Sequence, residues 1–247
     1  MEVHHHAHTA RKKWTHYLWE FLMLFLAVTL GFFVENQREH YIENQREKKY
    51  IQSFYEDLTA DEYDLQSNIN FLRGQLLQAD TLQKLMLNID IKQPANGIYM
   101  YLRGITRSSG GRLYPNDRTI VQLRNAGGMR LIKNKSVSDS MVGYYRSADI
   151  IQFLTEEGLN NRRLLRQRYM PLLNARDFIK VLDTTNSIVN VPENLYLRNA
   201  DPDIINGCLI EIDRIRTLNL ALANLIQLLK EKAGRIKNFI KKEYHLK

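Results

Sequence analysis

One run of residues constrains this chain more than any other. From Tyr17 to Val34 it reads YLWEFLMLFLAVTLGFFV, with Glu20 as its single charge. The eighteen residues, at a helical rise of about 1.5 Å each, span about 27 Å, close to the hydrocarbon thickness of a bilayer. Trp14, Tyr17 and Trp19 gather at one border and Phe32 and Phe33 at the other, as aromatic residues do where a helix passes from lipid to headgroups. The expectation is a transmembrane helix over residues 14–34. A cleaved signal peptide is the competing reading: Arg11, Lys12 and Lys13 suit its basic start, but the run is long and no small-x-small pattern follows it.

The same three cations abut the run on its N-terminal side, whereas Arg38 is the near cation beyond it and has acidic neighbours. This asymmetry predicts a cytoplasmic tail over residues 1–13 and an exported domain over 35–247, periplasmic in a bacterium. Nucleic acid is then excluded as a natural partner, although the chain carries a net +8. Within the run, Glu20, Leu24, Ala27 and Gly31 share one helical face. Ala27 and Gly31 form a small-xxx-small pair that lets two backbones approach, and an intramembrane carboxylate favours a protein-facing position. This face is the expected contact with a second copy or another membrane subunit. Alternatively, Glu20 lies at the headgroups beside His16, one turn earlier.

The opening MEVHHHAH sets His4, His5, His6 and His8 side by side. Clustered imidazoles can hold a divalent transition metal, yet a tract this open fixes no ligand geometry. A solvated or partner-binding tail and a remnant of a purification tag are the other readings.

Beyond Glu35 the sequence turns polar without a Pro or Gly break, and ENQRE occurs at 35–39 and again at 43–47. These are good helix formers, so the membrane helix is expected to continue into water. Ile51, Tyr55, Leu58, Leu65, Ile69, Leu72 and Leu76 keep a 3-4 spacing with Glu62 as the polar interruption, which predicts a heptad seam. Unbroken to about Ile89, such a helix would be about 110 Å long; Pro94 and Gly97 would close it. At the other end, Asp201-Pro202 supplies an N-cap and a proline at the first helical position. Two stripes follow: Cys208, Ile215, Leu222, Leu229, Ile236; and Ile205, Ile212, Asn219, Ile226, Ala233, Ile240. Asn219 is either a buried polar contact or a solvated position. A shorter helix is expected from Asn116 or Asp117 to the Gly127-Gly128 pair, and another from Ser136 to about Tyr169, with Val137, Met141, Tyr144, Ala148 and Ile151 inward. Residues 183–201 read as a loop, with a short strand-like piece possible at Ser187–Val191.

The expected fold class is therefore all-α: one N-terminal transmembrane helix continuing into an elongated antiparallel helical bundle or coiled-coil domain. With 44% hydrophobic residues against 5 Pro and 12 Gly, the chain has material for a packed core and little for a β-protein's turns. The lone Cys208 permits no intrachain disulfide and reads as core filler. An antiparallel return would bring the basic tail, net +5 over residues 230–247, back toward the bilayer. There Ile236, Phe239 and Ile240 would touch the interface, and Lys237, Lys241 and Lys242 would meet anionic lipid or an acidic partner. A solvated helix end explains the same lysines equally well.

Chemistry is scarce. No HExxH, CxxC, Walker or nucleophile-elbow pattern occurs. Glu56, Asp57, Asp61 and Glu62 read as an exposed helix face, and Arg162, Arg163, Arg166 and Arg168 as a solvated basic face able to receive an anion. The stretch PNDRTIVQLRNAGGMRLIKN (115–134) is the most distinctive in the domain. Its Arg124, Gly127, Gly128 and Arg130 are the candidate docking or pocket residues. No cofactor and no small-molecule substrate are expected.

The opening MEVHHHAHTARKKWTHYLWEFLMLFLAVTLGFF, with TIVQLRNAGGMRLIKNKSVSD and the GYYR that follows, resembles an uncharacterised family of bacteroidete single-pass membrane proteins with a His-rich N-terminus. The resemblance spans most of the chain. It implies a Gram-negative inner (cytoplasmic) membrane and a periplasmic helical domain, and it carries over no activity and no functional residues. Together these readings favour a non-enzymatic, membrane-anchored interaction or scaffold subunit of a cell-envelope complex, oligomeric and bound to the lipid bilayer. The alternative is a periplasmic sensory or ligand-binding domain signalling through a membrane partner. A metal-dependent enzyme built on the N-terminal histidines ranks last.

Overall fold

A computed structural model describes residues 14–107 and 113–246. Among them the fold is all-α, with an isolated bridge between Leu182 and Ile188 and no strand. The chain divides into two units, Met1–Lys49 and Tyr50–Lys247. The helices are α1 (Trp14–Leu87), α2 (Asn96–Thr106), α3 (Arg118–Asn125), α4 (Lys135–Tyr169), α5 (Ala175–Lys180) and α6 (Pro202–Tyr244).

In the first unit, α1 contains an 18-residue window of mean hydropathy 2.0 that is 0% buried, long and apolar enough to cross a membrane. Its large side chains from Trp14 to Val34 are exposed. This segment is a candidate membrane anchor.

In the second unit, α1, α4 and α6 share the core, and α6 runs antiparallel to both others. Arg216 meets Asp80, Lys230 meets Gln66 and Lys237 meets Glu62, a pairing in which one number falls as the other rises. Against α4, Lys232 donates to Gly143 O while Arg162 donates to Asn219. The two α6 stripes are buried from Cys208 to Ile240, with Ile205 half-buried, and Asp201 caps the helix through Asp203 N and Ile204 N. Asn219 is buried.

The α1 seam is rotated from its expected line. Ile51, Leu58, Leu65, Ile69 and Leu72 are buried as anticipated, but Phe54, Asp61 and Gln75 take the places read as Tyr55, Glu62 and Leu76, which are half-buried flanks. Two further helices, α2 and α5, were not anticipated. Gly97 lies inside α2 instead of closing α1, and the cap of α4 is Asn134, two residues before the expected Ser136, its side chain accepting from Ser136 N and Val137 N.

The core falls into two apolar clusters. One joins Ile51–Leu72 of α1 to α3, the first half of α4 and Leu222–Ile240 of α6. The other joins Ala79–Met86 to α2, the end of α4 and Cys208–Ile215. Between them sit buried Gln75, Arg162 and Asn219. The Arg162 guanidinium donates to Ile105 O (3.1 Å) and Asn219 Oδ1 (3.1 Å). Burial lowers its pKa to about 10. It is therefore core, not part of the solvated basic face expected for it, while Arg163, Arg166 and Arg168 are exposed.

Candidate functional site

The anchor residues come first. Glu20, Leu24, Ala27 and Gly31 are exposed along α1, and a Cβ on Gly31 would meet nothing within 4 Å. His16 Nε2 lies 3.1 Å from Glu20 Oε1, the one-turn pairing read from the sequence. His4, His5, His6 and His8 lie outside the described residues.

The 115–134 stretch is built on two buried carboxylates. Asp57 and Asp61 of α1 are 4% and 1% exposed, which overturns for these two the expectation of an exposed acidic face; Glu56 is exposed as expected and Glu62 is half-buried. Their burial is compensated by donors from distant segments. Asp61 Oδ1 accepts from Asn116 N (2.8 Å) and Asn116 Nδ2 (2.7 Å), and Oδ2 accepts from Tyr144 OH (2.6 Å). Asp57 accepts from Thr119 N (3.2 Å), Thr119 Oγ1 (2.5 Å) and Arg118 (3.0 Å). It thereby satisfies the N-terminus of α3, where the N-cap residue Asp117 makes no side-chain bond of its own. Desolvation raises the Asp61 pKa from its ordinary value, against the lowering effect of its hydrogen bonds. The Tyr144 and Tyr145 hydroxyls are likewise pushed far up by burial. The cluster is a clamp on α3. After it, Gly127 takes φ +60, the left-handed turn that glycine adopts without strain, and Gly128 packs on Leu123. Arg124, Gly127 and Arg130 are exposed.

The basic tail departs from its expected role in part. Ile236 and Ile240 are buried in the core and Phe239 packs against it, so these residues line the interior and not a lipid surface. The Lys237 ammonium lies 2.8 Å from Glu62 and over the Tyr55 ring, with its side chain 14% exposed. Lys241 and Lys242 are exposed.

One site was not read from the sequence. Arg103, Thr106 and Arg107 at the end of α2, Arg166 and Tyr169 at the end of α4, and Leu182 and Asn186 from the following loop line a cleft of about 280 Å³. The Arg103 guanidinium is held over the Phe178 ring of α5, 4.5 Å from its centre. Tyr169 has its pKa raised by burial, against the lowering effect of its hydrogen bond with Thr106 and of the Arg103 and Arg166 charges. The loop wall is fixed by Asp183, whose Oδ1 accepts from Thr185 N, Thr185 Oγ1 and Ser187 N at 2.9, 2.7 and 2.8 Å. Arg166 belonged to a basic run visible in the sequence; its convergence with residues some sixty positions earlier was not. Compared with known proteins, the chain matches no family model, no curated protein and no solved structure.

Proposed function

We propose that this chain is a non-enzymatic, membrane-anchored interaction subunit of a cell-envelope complex. In this reading residues 14–34 cross the inner membrane, the N-terminus is cytoplasmic, and the domain is a periplasmic antiparallel bundle of coiled-coil character. The observation that carries it is the Glu20–Leu24–Ala27–Gly31 face. A carboxylate with 54% of its side chain exposed is costly beside hydrocarbon, and it shares that face with two small residues that leave room for another backbone. A second copy or another membrane helix would cover the face and enclose the carboxylate. The resemblance to the bacteroidete single-pass family supports the same placement.

The test is the mass of the full chain in mild detergent by light scattering. The wild type should exceed one chain, and Glu20→Leu with Gly31→Leu should reduce that mass. A monomeric wild type, or an assembly unchanged in the double variant, would overturn the proposal. A second reading, a ligand-binding or sensory domain signalling through a membrane partner, is favoured by the arginine-lined cleft.

A further inference from the structure

The ends of α2 and α4 bring three arginines, Arg103, Arg107 and Arg166, to the lining of one cleft. Cations complement the negative end of a helix dipole, which accounts for each position along its own helix. It does not account for convergence, because like charges facing one small volume repel. The carboxylate that bears on Arg107 is Asp183, and that group already accepts hydrogen bonds from Thr185 and Ser187.

The floor contributes no further donors. Thr106 Oγ1 donates to Leu102 O (2.5 Å), which leaves it as the acceptor for Tyr169 OH at 3.3 Å. Both hydroxyl protons are thereby spent inside the protein. The donors left to a ligand are the guanidinium forks, with the Asn186 side chain at the rim, and Arg103 is already oriented by Phe178. Asn186 itself is held in a left-handed conformation, φ 62, by the turn that Asp183 closes.

We propose that this cleft binds a phosphate-bearing anion. A phosphate group presents several acceptor oxygens, with close to two charges on a monoester and one on a diester, which matches converging forks better than the two oxygens of a carboxylate do. The half-buried Leu182 offers an apolar wall to whatever carries the phosphate. A soluble phosphate ester and a phospholipid headgroup share this chemistry. The proposal rests on the second reading above and on none of the residues of the membrane segment, so it stands or falls apart from assembly.

The experiment is calorimetric titration of the detergent-solubilised full chain with two probes, inorganic pyrophosphate and monomeric dihexanoylphosphatidylglycerol. Saturable binding of the first alone points to a soluble anion, and of the second alone to a headgroup; either supports the site. Arg107→Gln and Arg166→Gln each replace an exposed side chain and should each weaken binding by about tenfold or more. The double variant should abolish it, and Arg166→Lys should recover part. Arg73→Gln with Lys84→Gln, a removal of equal charge from exposed positions on α1 outside the cleft, should leave affinity unchanged. Circular dichroism checks that each variant is folded. No saturable binding of either probe, or an unchanged affinity in the Arg107/Arg166 double variant, would overturn the proposal.

Discussion

Tyr144 of α4 donates its hydroxyl proton to Oδ2 of Asp61 on α1 across 2.6 Å, inside the core. The bond joins residues 83 positions apart, and it explains how a carboxylate occupies a seam position that an apolar residue would normally fill. Removing the acceptor strands buried donors on two other segments. Asp61→Ala should therefore destabilise the domain by roughly 2–4 kcal/mol, read from urea unfolding of the detergent-solubilised chain. Asp61→Asn keeps an acceptor for Asn116 and should cost well under half of that.

The same pair predicts a pH dependence with a definite sign. The folded-state pKa of Asp61 is raised by desolvation, with Asp57 adding to the rise. Between the unfolded value of 3.8 and the raised folded value, the native state binds more protons than the unfolded one. The Asp61 contribution is therefore fully favourable below the unfolded value and declines as pH rises through the folded value. Asp61→Asn removes that decline. Its stability relative to the wild type should improve as pH rises from the unfolded value through the raised folded one; a constant or opposite difference would contradict the assignment.

Arg162 and Asn219 predict a coupled pair. Arg162→Met deletes a buried cation but leaves Asn219 Oδ1 and Ile105 O without this donor, at a cost of about 1–3 kcal/mol. Adding Asn219→Leu removes one of those stranded groups and should recover much of the loss, so a double-mutant cycle should give a coupling well above zero. Because the Arg162 pKa is lowered to about 10, its desolvation cost is present at every pH below that value and is relieved only above it. Neutral-range pH should leave this coupling unchanged.

Cys208 is 0% exposed, and burial pushes its thiol up to about 12. Both effects suppress the thiolate that reacts with disulfide reagents. The native chain should resist thiol labelling near neutral pH and label fully in denaturant, with the rate following unfolding.

How far the sequence disclosed this fold depended on distance along the chain. The α6 helix was legible in full, because Asp201-Pro202 marks its start and two apolar stripes mark its buried face. The α1 seam was legible only to within one residue. Reading by apolarity rejects Asp61 and prefers Tyr55 to Phe54. The donors that make Asp61 tolerable come from Asn116 and Tyr144, which local spacing cannot reveal. The α2 helix was hidden by glycines that look like breakers. Gly104 lies against the carboxamide of Gln78, which a Cβ would approach to 2.6 Å and push aside, and its backbone is ordinary helix. The arginine cleft was invisible because its two walls meet only after the chain has turned back on itself.

The polar layer between the two apolar clusters has a consequence for how the long helices count their repeats. Antiparallel helices with heptad stripes can slip by one full repeat and still meet apolar side chains with apolar side chains. Here such a slip of α6 would carry Asn219 away and present Ile212 or Ile226 to Arg162, depending on direction. Either isoleucine would leave the guanidinium pressed against methyl groups without that acceptor, a far greater penalty than any contact regained. Arg162 and Asn219 thus act as an index mark, admitting one alignment out of several that the apolar stripes alone would accept.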